Sequence, residues 1–448
     1  MSKIIDYPFS FRLLRNYVVF TFKRYYGEYI VIGRENIPEN CPVIFAPNHI
    51  NAFMDAIAVH SIAPKNLPLI FLARADIFNN KTSAKILKYL KIMPAFRMRD
   101  GIENMGKNQD VFDQCVEILH HNKALGIMPE GSQGDQRKLR PLVKGIFRIA
   151  FAAQQKYESQ PKVKIIPVGI DYGDLVKYGK HILINIGKPI EIADYMKSFA
   201  ENPVTATNDI RKRLWSDLNR LSLNLDSENH YECFETVAEV ANSVFLKGLD
   251  LQDKTEFRFT ARQEISNKLI GLEINEPEKI NQLETLCREY KLLLGKLNLQ
   301  NWVLEQNKDK SSTVLLEEIL LFLTLPLFLF GLLVNFLPFF VPVYVRKQII
   351  RPQYQGFYSS LQFVLGLITF PLFYLIQTIL FVCLFGVSWW AGLIFMLLQY
   401  PFGKLAIKWN GKAKKMLAKL RFQKLAKKKS SDLFQAQSVR EQIIRMIS

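Results

Sequence analysis

Cysteine is scarce in this chain, and its few cysteines are scattered. Only five of the 448 residues are cysteine, namely Cys41, Cys115, Cys233, Cys287 and Cys383. No two of them form a CxxC pair, and none stands at a spacing typical of metal ligands. This pattern excludes a disulfide framework as the basis of the fold and is typical of a protein in a reducing compartment.

Charged residues are absent from two long stretches in the second half of the chain. Residues 319–345 contain none, and neither do residues 352–403, which are rich in Phe and Leu. About 20 apolar residues suffice to cross a bilayer, so the longer run cannot be a soluble core element. It predicts two membrane spans, at about residues 361–383 and 386–403.

The shorter uncharged run is interrupted by Pro326, Asn335 and Pro338 and is followed by the basic sequence RKQIIR. Positive residues favour the cytoplasmic side of a membrane, so RKQIIR and the C-terminal tail are expected there together. Within a membrane region 315–403 we therefore predict that residues 319–345 are re-entrant or interfacial, with broken backbone covered by protein or water. The alternative is a full crossing, which would make the spans three.

Acidic residues are missing from residues 404–429, which hold eleven Lys or Arg and supply most of the net charge of +18. This imbalance predicts a basic cytoplasmic tail, residues 404–448, on an anionic membrane surface. Apolar residues interrupt the lysines, which suits a lipid interface and argues against nucleic acid as a partner. They are Trp409, Met416, Leu417, Leu420 and Phe422.

Residues 1–27 lack an apolar stretch long enough for a signal peptide or a span. Phe9, Leu13, Tyr17 and Phe20 nevertheless recur at helical spacing, and basic residues flank them. The flanking residues are Arg12, Arg15, Lys23 and Arg24. Two interpretations fit this pattern: an ordinary first helix packed on the core, or an amphipathic helix resting on a membrane surface.

Residues 28–199 alternate short apolar runs with helical patterns, which predicts an α/β domain whose sheet is covered by helices. The predicted strands are EYIVIG (28–33), PVIFA (42–46), PLIFL (68–72), ALGIM (124–128), VKIIPVG (163–169) and HILINIG (181–187). Helical patterns lie between them at 53–62, 83–90, 107–121 and 144–157. Residues 200–314 are helical and charged and predict a helical accessory region.

Residues able to carry chemistry cluster at or after strand ends, where open α/β sheets usually place ligands. The clusters are NHINAFMD (48–55), KIMPAFRMRDG (91–101), IMPEGSQG (127–134) and IIPVGIDY (165–172). On a regular helix His49 and Asp55 would point in different directions. If His49 lies on the loop before the helix, Asp55 can hold one ring nitrogen while the other acts as a general base. The alternative is a surface histidine and a helix-cap carboxylate.

An obvious covalent nucleophile is missing. In EGSQG, Glu130 occupies the first glycine position of a GxSxG elbow, and only one residue separates Ser132 from Gly134. A His–Asp pair without a serine or cysteine partner suits direct deprotonation of a substrate hydroxyl. Arg97 and Arg99 are either solvated surface charges or, if their segment bends, a clamp for phosphate.

Together, and in this order over roughly residues 28–190, the four clusters resemble the glycerolipid acyltransferases, the family of glycerol-3-phosphate and lysophosphatidate acyltransferases. NHINAFMD looks like the family's His–Asp block, MPAFRMRDG like its phosphate-contacting block, MPEGSQG like its FPEG block, and IIPVGIDY like its fourth block around a proline. The resemblance implies that His49 is a general base and Asp55 its partner.

The same resemblance implies a set of substrate-binding residues. They are Arg97 for phosphate, Glu130 and Gly131 for the glycerol moiety with Ser132 of the same block, and Pro167 at the acyl channel. Charge and position, rather than the resemblance, add Arg99 and Lys144 as substrate-binding candidates. Because like charges repel, Glu130 is expected to bond to a glycerol hydroxyl or an arginine rather than to phosphate.

Two positions depart from the family pattern. The spacing from His49 to Asp55 is HX5D, whereas HX4D is usual, and this resembles a branch that acts on glycerol-3-phosphate or dihydroxyacetone phosphate. Gln133 stands where many members have Arg, which leaves one fewer obvious phosphate ligand.

The resemblance implies an enzyme that moves a fatty acyl group from an acyl thioester to a hydroxyl of glycerol-3-phosphate in phospholipid synthesis. The uncharged runs and the basic segments, rather than the resemblance, predict a multi-pass membrane protein whose catalytic domain faces the cytoplasm. Acyl-CoA or acyl carrier protein would be the donor cosubstrate, and no metal or bound organic cofactor is expected. The expected partners are this donor, the phosphorylated glycerol acceptor and membrane lipid. Lysophosphatidate is the alternative acceptor, and a non-enzymatic membrane scaffold is the alternative of another class.

Overall fold

The structure is a computed structural model that describes residues 4–95, 105–157, 161–305, 311–351 and 355–448. The chain divides into two compact units. The first consists of Met1–Asn224 together with Pro352–Ser360, and the second of Leu225–Arg351 together with Leu361–Ser448. A short piece of the C-terminal half therefore belongs to the first unit.

Within the described residues of the first unit, eight strands form one sheet. They are β1 (Glu28–Ile32), β2 (Val43–Pro47), β3 (Leu69–Arg74), β4 (Ile92–Ala95), β5 (Ala124–Gly126), β6 (Lys164–Tyr172), β7 (His181–Ile186) and β8 (Ile190–Glu191). Their order is β1-β7-β6-β2-β5-β3-β4, and β8 also pairs with β6. Strand β6 runs antiparallel to β7 and β8, and the other pairs are parallel.

The six predicted strands are confirmed, with ends that differ by a few residues. Strands β4 and β8 were not predicted, because four and two residues are too few to show a recognisable apolar pattern. Proline is tolerated at an edge, and Pro94 lies in β4 at one end of the sheet. The α/β class predicted from the sequence is confirmed.

Pro167 lies inside β6, where a missing N–H would normally cost a ladder hydrogen bond. Its carbonyl accepts from the N–H of Gly187, on the side of β6 that faces β7 and β8. Along that side, β8 pairs with residues up to Ile165 and β7 with residues from Val168. The proline therefore occupies the gap where β6 changes partner.

Seven helices surround the sheet in the described part of this unit. They are α1 (Phe9–Tyr25), α2 (Ala52–Ile62), α3 (Lys81–Tyr89), α4 (Met105–His120), α5 (Gly145–Tyr157), α6 (Met196–Glu201) and α7 (Pro203–Leu221). Helix α7 buries Ala206, Ile210, Leu214 and Leu218 in the same core as the strands. The α/β unit consequently extends to Asn224, whereas the sequence pattern suggested a boundary at residue 199.

The predicted N-terminal helix is present as α1. Its apolar stripe is exposed, at 73% for Phe9, 61% for Leu13, 36% for Tyr17 and 53% for Phe20. The helix therefore does not use this stripe to contact the core. The core contacts come from the opposite residues, Phe11, Arg15 and Phe22.

Arg15 was predicted as a charge flanking the stripe but is buried instead. Its guanidinium donates to four carbonyls at the C-terminal end of α2, at 3.0 Å to His60, 2.9 Å to Ala63, 3.1 Å to Pro64 and 2.5 Å to Lys65. These carbonyls have no partners within the helix, so a cation there is stabilising. Arg15 thereby fixes α1 to α2.

The second unit is helical in its described residues. Its helices are α8 (Tyr231–Val240), α9 (Asn242–Gly248), α10 (Thr255–Asn275), α11 (Pro277–Leu297), α12 (Asn301–Glu305), α13 (Ser311–Leu323), α14 (Leu325–Tyr344), α15 (Gly356–Phe385), α16 (Trp389–Lys427) and α17 (Ser431–Ile447). Helix α15 starts in the first unit and continues into the second. The end of the basic tail is folded, since α17 buries Leu433, Val439 and Ile443.

Within the described part of the chain, three helical stretches are long and apolar enough to cross a membrane: Leu325–Ile350, Gly356–Phe385 and Trp389–Lys427. The predicted spans 361–383 and 386–403 lie in α15 and at the start of α16. The shorter uncharged run is helical on both sides of Thr324, which separates α13 from α14. Helix α14 continues through Pro338 and Pro342, so these prolines do not break the backbone, contrary to expectation. An interfacial or re-entrant position for this run stays a prediction.

Candidate active site

His49 lies on the loop between β2 and α2, as the proposed pairing requires. Its Nδ1 is 2.9 Å from Oδ2 of Asp55, which stands in the first turn of α2. The carboxyl side chain is fully buried, whereas the imidazole is 18% exposed. The sequence-predicted pair is therefore brought together with one member open to the outside.

Three donors converge on the Asp55 carboxylate. The Asn51 N–H donates to Oδ2 at 2.8 Å, the same oxygen that faces the imidazole. The Tyr172 hydroxyl donates to Oδ1 at 2.6 Å. Because Asp55 is an acceptor for these neighbours, Nδ1 of His49 carries its proton, and the lone pair of Nε2 is left for a proton from a substrate.

Tyr172, at the end of β6, was quoted within the fourth sequence cluster but not recognised as a site residue. Burial, together with the nearby Asp55 charge, raises the pKa of its phenol well above 10. The hydroxyl therefore stays protonated and remains a donor. Its position at a strand end was the signal in the sequence that could have identified it.

The loop that carries His49 is also fixed to β6 by Asn48. The Asn48 amide donates to the Ile170 carbonyl at 3.1 Å and accepts from the Ile170 N–H at 2.7 Å. The Asn48 N–H donates to the Val168 carbonyl at 3.2 Å. Three hydrogen bonds from a buried residue thus place the backbone just before the histidine.

Glu130 binds the protein itself on both carboxyl oxygens. Oε1 accepts from the His49 N–H at 2.7 Å, and Oε2 accepts from Nε–H of Arg140 at 2.9 Å and from its backbone N–H at 3.1 Å. Burial raises the pKa of Glu130, and the Arg140 guanidinium opposes that rise. Of the two partners expected for this carboxylate, an arginine is the one observed.

Arg140 is a second residue that the sequence did not identify. Besides Glu130, its guanidinium donates to the His49 carbonyl at 3.1 Å and to the Ser132 hydroxyl at 3.0 Å. It therefore joins the loop after β5 to the loop after β2. The sole hint in the sequence was the expectation that Glu130 would bond to an arginine.

The remaining predicted residues have different outcomes. Gly131 has a φ of +66°, and an added Cβ would lie 2.9 Å from Val143, so glycine suits this turn. Ser132 and Lys144 are exposed, and Pro167 is buried within the sheet. Arg97 and Arg99 lie outside the described residues, so their expected phosphate contacts stay predictions.

Within the described ranges, no group of three or more His, Cys, Asp or Glu side chains could hold a metal ion. What the described site does offer is an imidazole with one nitrogen held by a buried carboxylate. Such a pair can take a proton from a hydroxyl and return it to a leaving group.

Comparison with known proteins gives a consistent family signal. Residues 28–171 match the family model described as Acyltransferase, a range that includes His49, Asp55, Glu130 and Arg140. The described part of this range contains the site built above except for Tyr172, which follows its last residue.

Three relatives come from two organisms. Glycerol-3-phosphate O-acyltransferase 1 of Saccharomyces cerevisiae is 32% identical over 23% of this chain and 14% of its own length. Glycerol-3-phosphate O-acyltransferase 2 of the same yeast is 22% identical over 68% of this chain and 42% of its own length. The 1-acyl-sn-glycerol-3-phosphate acyltransferase of Borreliella burgdorferi is 24% identical over 36% of this chain and 58% of its own length. The chain thus spans less than two thirds of each relative.

Among solved structures, the 1-acyl-sn-glycerophosphate (LPA) acyltransferase PlsC from Thermotoga maritima is similar at a TM-score of 0.35 and 17% identity. The match covers 47% of this chain and 77% of that one. At this level the similarity carries no argument about the site.

Proposed function

We propose that this chain, whose residues 28–171 match the Acyltransferase family model, is a membrane-bound O-acyltransferase that acylates a hydroxyl of glycerol-3-phosphate. The observation that carries the proposal is the pairing of His49 with the buried Asp55 carboxylate at 2.9 Å. A buried carboxylate holds the imidazole in one tautomer and stabilises the imidazolium that forms during the reaction. The product would enter phospholipid synthesis.

The reaction follows from this geometry as a direct transfer. Nε2 of His49 takes the proton of the acceptor hydroxyl while that oxygen attacks the carbonyl carbon of the acyl thioester. The resulting tetrahedral intermediate collapses, the carbon–sulfur bond breaks, and the imidazolium returns its proton to the departing thiolate. The acyl donor, acyl-CoA or acyl carrier protein, is a cosubstrate, and no metal or resident cofactor takes part in the proposed steps.

The acceptor is the finer part of the proposal. Two yeast relatives named for glycerol-3-phosphate and the HX5D spacing of His49 and Asp55 support glycerol-3-phosphate. We propose Arg97 as the ligand of its phosphate, on the strength of the family resemblance. Lysophosphatidate is the second candidate acceptor, which the relative from Borreliella burgdorferi supports.

Membrane attachment is supported by features of both units. Three of the helical stretches that the structure describes are apolar and long enough to cross a bilayer. On α1, Phe9, Leu13 and Phe20 are exposed, which suits a helix resting on lipid. We further propose that residues 319–345 are re-entrant or interfacial, so that the α/β unit lies on the same side as the basic RKQIIR segment and the lysine-rich end of α16. Positive charges favour the cytoplasm, and we place the α/β unit there with them.

The decisive experiment is an acyl-transfer assay on the full chain purified in detergent. Glycerol-3-phosphate and lysophosphatidate are each offered with acyl-CoA and with acylated carrier protein, and His49→Ala serves as the catalytic control. We expect transfer to glycerol-3-phosphate that the control lacks. Transfer only to lysophosphatidate would show that lysophosphatidate, and not glycerol-3-phosphate, is the acceptor. Transfer to neither acceptor would contradict the proposed enzymatic function and favour a membrane scaffold.

A further inference from the structure

Residues 355–360, which include the first turn of α15, contact the loop that carries His49. The Ser359 hydroxyl donates to the side-chain oxygen of Asn51 at 2.7 Å, a contact between residues 308 positions apart in the chain. The Ser360 hydroxyl donates to the Asn51 carbonyl at 3.3 Å and accepts from the Met54 N–H at 3.3 Å. Both serines and Asn51 are buried, so these bonds form away from solvent.

Asn51 connects this contact to the reacting pair. Its N–H donates to Oδ2 of Asp55 at 2.8 Å, the oxygen that also faces the His49 ring. Asparagine at the start of a helix normally turns its side-chain oxygen to the first N–H groups of that helix. Asn51 makes no such bond at the start of α2, and its side-chain oxygen faces Ser359 instead.

The backbone of the loop is strained directly after Asn51. Ala52 has a φ of +44°, in the left-handed region that favours glycine. A non-glycine residue keeps such a conformation only where its surroundings hold it in place. The two serine hydroxyls act on the residue immediately before Ala52, and so they are placed to supply that constraint.

Close packing adds to the hydrogen bonds. A Cβ on Gly356 would lie 2.8 Å from the carbonyl oxygen of Ile50 and 2.3 Å from Nε2 of Gln133. The carbonyl is backbone and cannot move without moving the loop. The segment therefore contacts both Ile50 and Asn51, the two residues that follow the histidine.

We propose that residues 355–360 are a positioning segment for the acyl-transfer site, in which Ser359 and Ser360 hold Asn51, and through it Asp55 and His49, in the reactive arrangement. The inference rests on the proposed function and goes beyond it, because it makes the site dependent on a segment that lies outside residues 28–171. Neither serine touches the reacting atoms, so their contribution is to the orientation of the pair.

The test uses full-length protein in detergent and compares kcat with KM for donor and acceptor. In the double variant Ser359→Ala/Ser360→Ala we expect kcat to fall about 10- to 100-fold, because small displacements of a catalytic pair cost this much. Both KM values should change less than about twofold. Gly356→Ala, which removes no hydrogen bond, should show the same pattern through its steric effect on Ile50.

Two further variants separate positioning from general stability. Thr369→Val removes a buried hydroxyl from the same helix, one that donates to the Pro338 carbonyl at 3.0 Å, and it should leave kcat unchanged. Adding Ala52→Gly to the double serine variant should restore part of kcat, because glycine adopts the positive φ without strain.

Wild-type kcat in both the double serine variant and Gly356→Ala would overturn the inference while leaving the proposed function intact. An equal loss in Thr369→Val would also overturn it, since the effect would then come from disturbing α15 in general. Absence of transfer in the wild-type protein is a different outcome, because it would remove the proposed function itself.

Discussion

The carboxylate of Asp55 lies in a buried polar cluster, whereas a second polar cluster, between the apolar helices α14, α15 and α16, is partly buried and consists of neutral groups. In the second, the Asn335 amide donates to the carbonyls of Gly331 at 2.9 Å and Gln399 at 3.0 Å, and the Tyr374 hydroxyl donates to its oxygen at 2.5 Å. The Gln399 amide donates to Thr378 at 3.2 Å. All of these groups are neutral.

The difference indicates what each cluster does. Neutral amides and hydroxyls between apolar helices satisfy one another and hold the helices together. A buried carboxylate is costly unless it is fully bonded, and Asp55 meets that cost with three donors. One of the three is an imidazole that is partly exposed. The Asp55 cluster is therefore suited to chemistry, whereas the Asn335 cluster is suited to packing.

The largest effect should follow from removing His49, the partly exposed member of the Asp55 cluster. His49→Ala should lower kcat about 10²- to 10⁴-fold, since it removes the general base. Asp55→Asn should be less severe because the imidazole remains. Rates are measured on purified protein whose thermal unfolding midpoint in detergent matches the wild type. Near-normal turnover by His49→Ala would contradict the proposed mechanism.

A smaller effect is expected at Tyr172, the fully buried member of the same cluster. Tyr172→Phe removes the 2.6 Å bond to Asp55, and kcat should fall about tenfold through a looser His49–Asp55 pair. A carboxylate with one donor fewer also attracts the imidazolium more strongly, so the acid limb of log(kcat/KM) against pH should move to higher pH. A pH–rate profile over the acid range measures this shift.

The matched control is Tyr290→Phe in the helical unit. The Tyr290 hydroxyl is buried as well, but it donates at 2.8 Å to the amide oxygen of Asn301, which is neutral. This variant should leave both kcat and the profile unchanged. If the two tyrosine variants behave alike, the role assigned to Tyr172 is wrong.

Substitutions in the neutral cluster around Asn335 should lower the stability of the protein without changing its catalytic rate. Asn335→Ala removes the hydrogen bonds to Gly331, Gln399 and Tyr374 and should destabilise the helices by roughly 1 kcal/mol. The thermal unfolding midpoint in detergent should fall, while kcat per folded molecule stays constant. A loss of kcat without a change in the midpoint would show that the comparison between the clusters does not hold.

The sequence predicted much of the fold because strands covered on both sides are nearly continuous apolar runs, as in PVIFA and PLIFL. The His49–Asp55 contact was also predictable, since both residues lie in one short segment next to a strand end. In each case the information is local, and a pattern in the sequence can represent it.

Other parts of the site depend on contacts between distant segments. Glu130 with His49, Tyr172 with Asp55 and Ser359 with Asn51 are separated by 81, 117 and 308 residues. No periodicity specifies which hydroxyl or carboxylate will meet which partner once the sheet has formed. The sequence also left undecided which side of α1 contacts the core, because an apolar stripe suits a core and a membrane surface equally.

The smallest expected effect concerns His60, a partly buried histidine on the same helix as Asp55 that has to remain neutral. Burial, with the Arg15 guanidinium beside it, lowers the pKa of His60 on α2 to about 3. In the unfolded chain a histidine has a pKa near 6.5, so below that pH the unfolded state binds more protons than the folded state. Stability is therefore complete above about pH 6.5 and is lost progressively as the pH falls towards 3.

His60→Phe isolates this contribution, because phenylalanine does not titrate and can keep the ring contact with Phe71, whose centroid is 5.2 Å away. Between pH 7 and 5.5, wild-type protein should lose about 1 kcal/mol more unfolding free energy than the variant. Thermal unfolding of both proteins in the same detergent at the two pH values measures the difference. Equal losses in the two proteins would mean that His60 becomes protonated while the protein stays folded. The folded chain near Asp55 would then tolerate a second charge, contrary to the cost of buried charge on which the comparison of the two clusters rests.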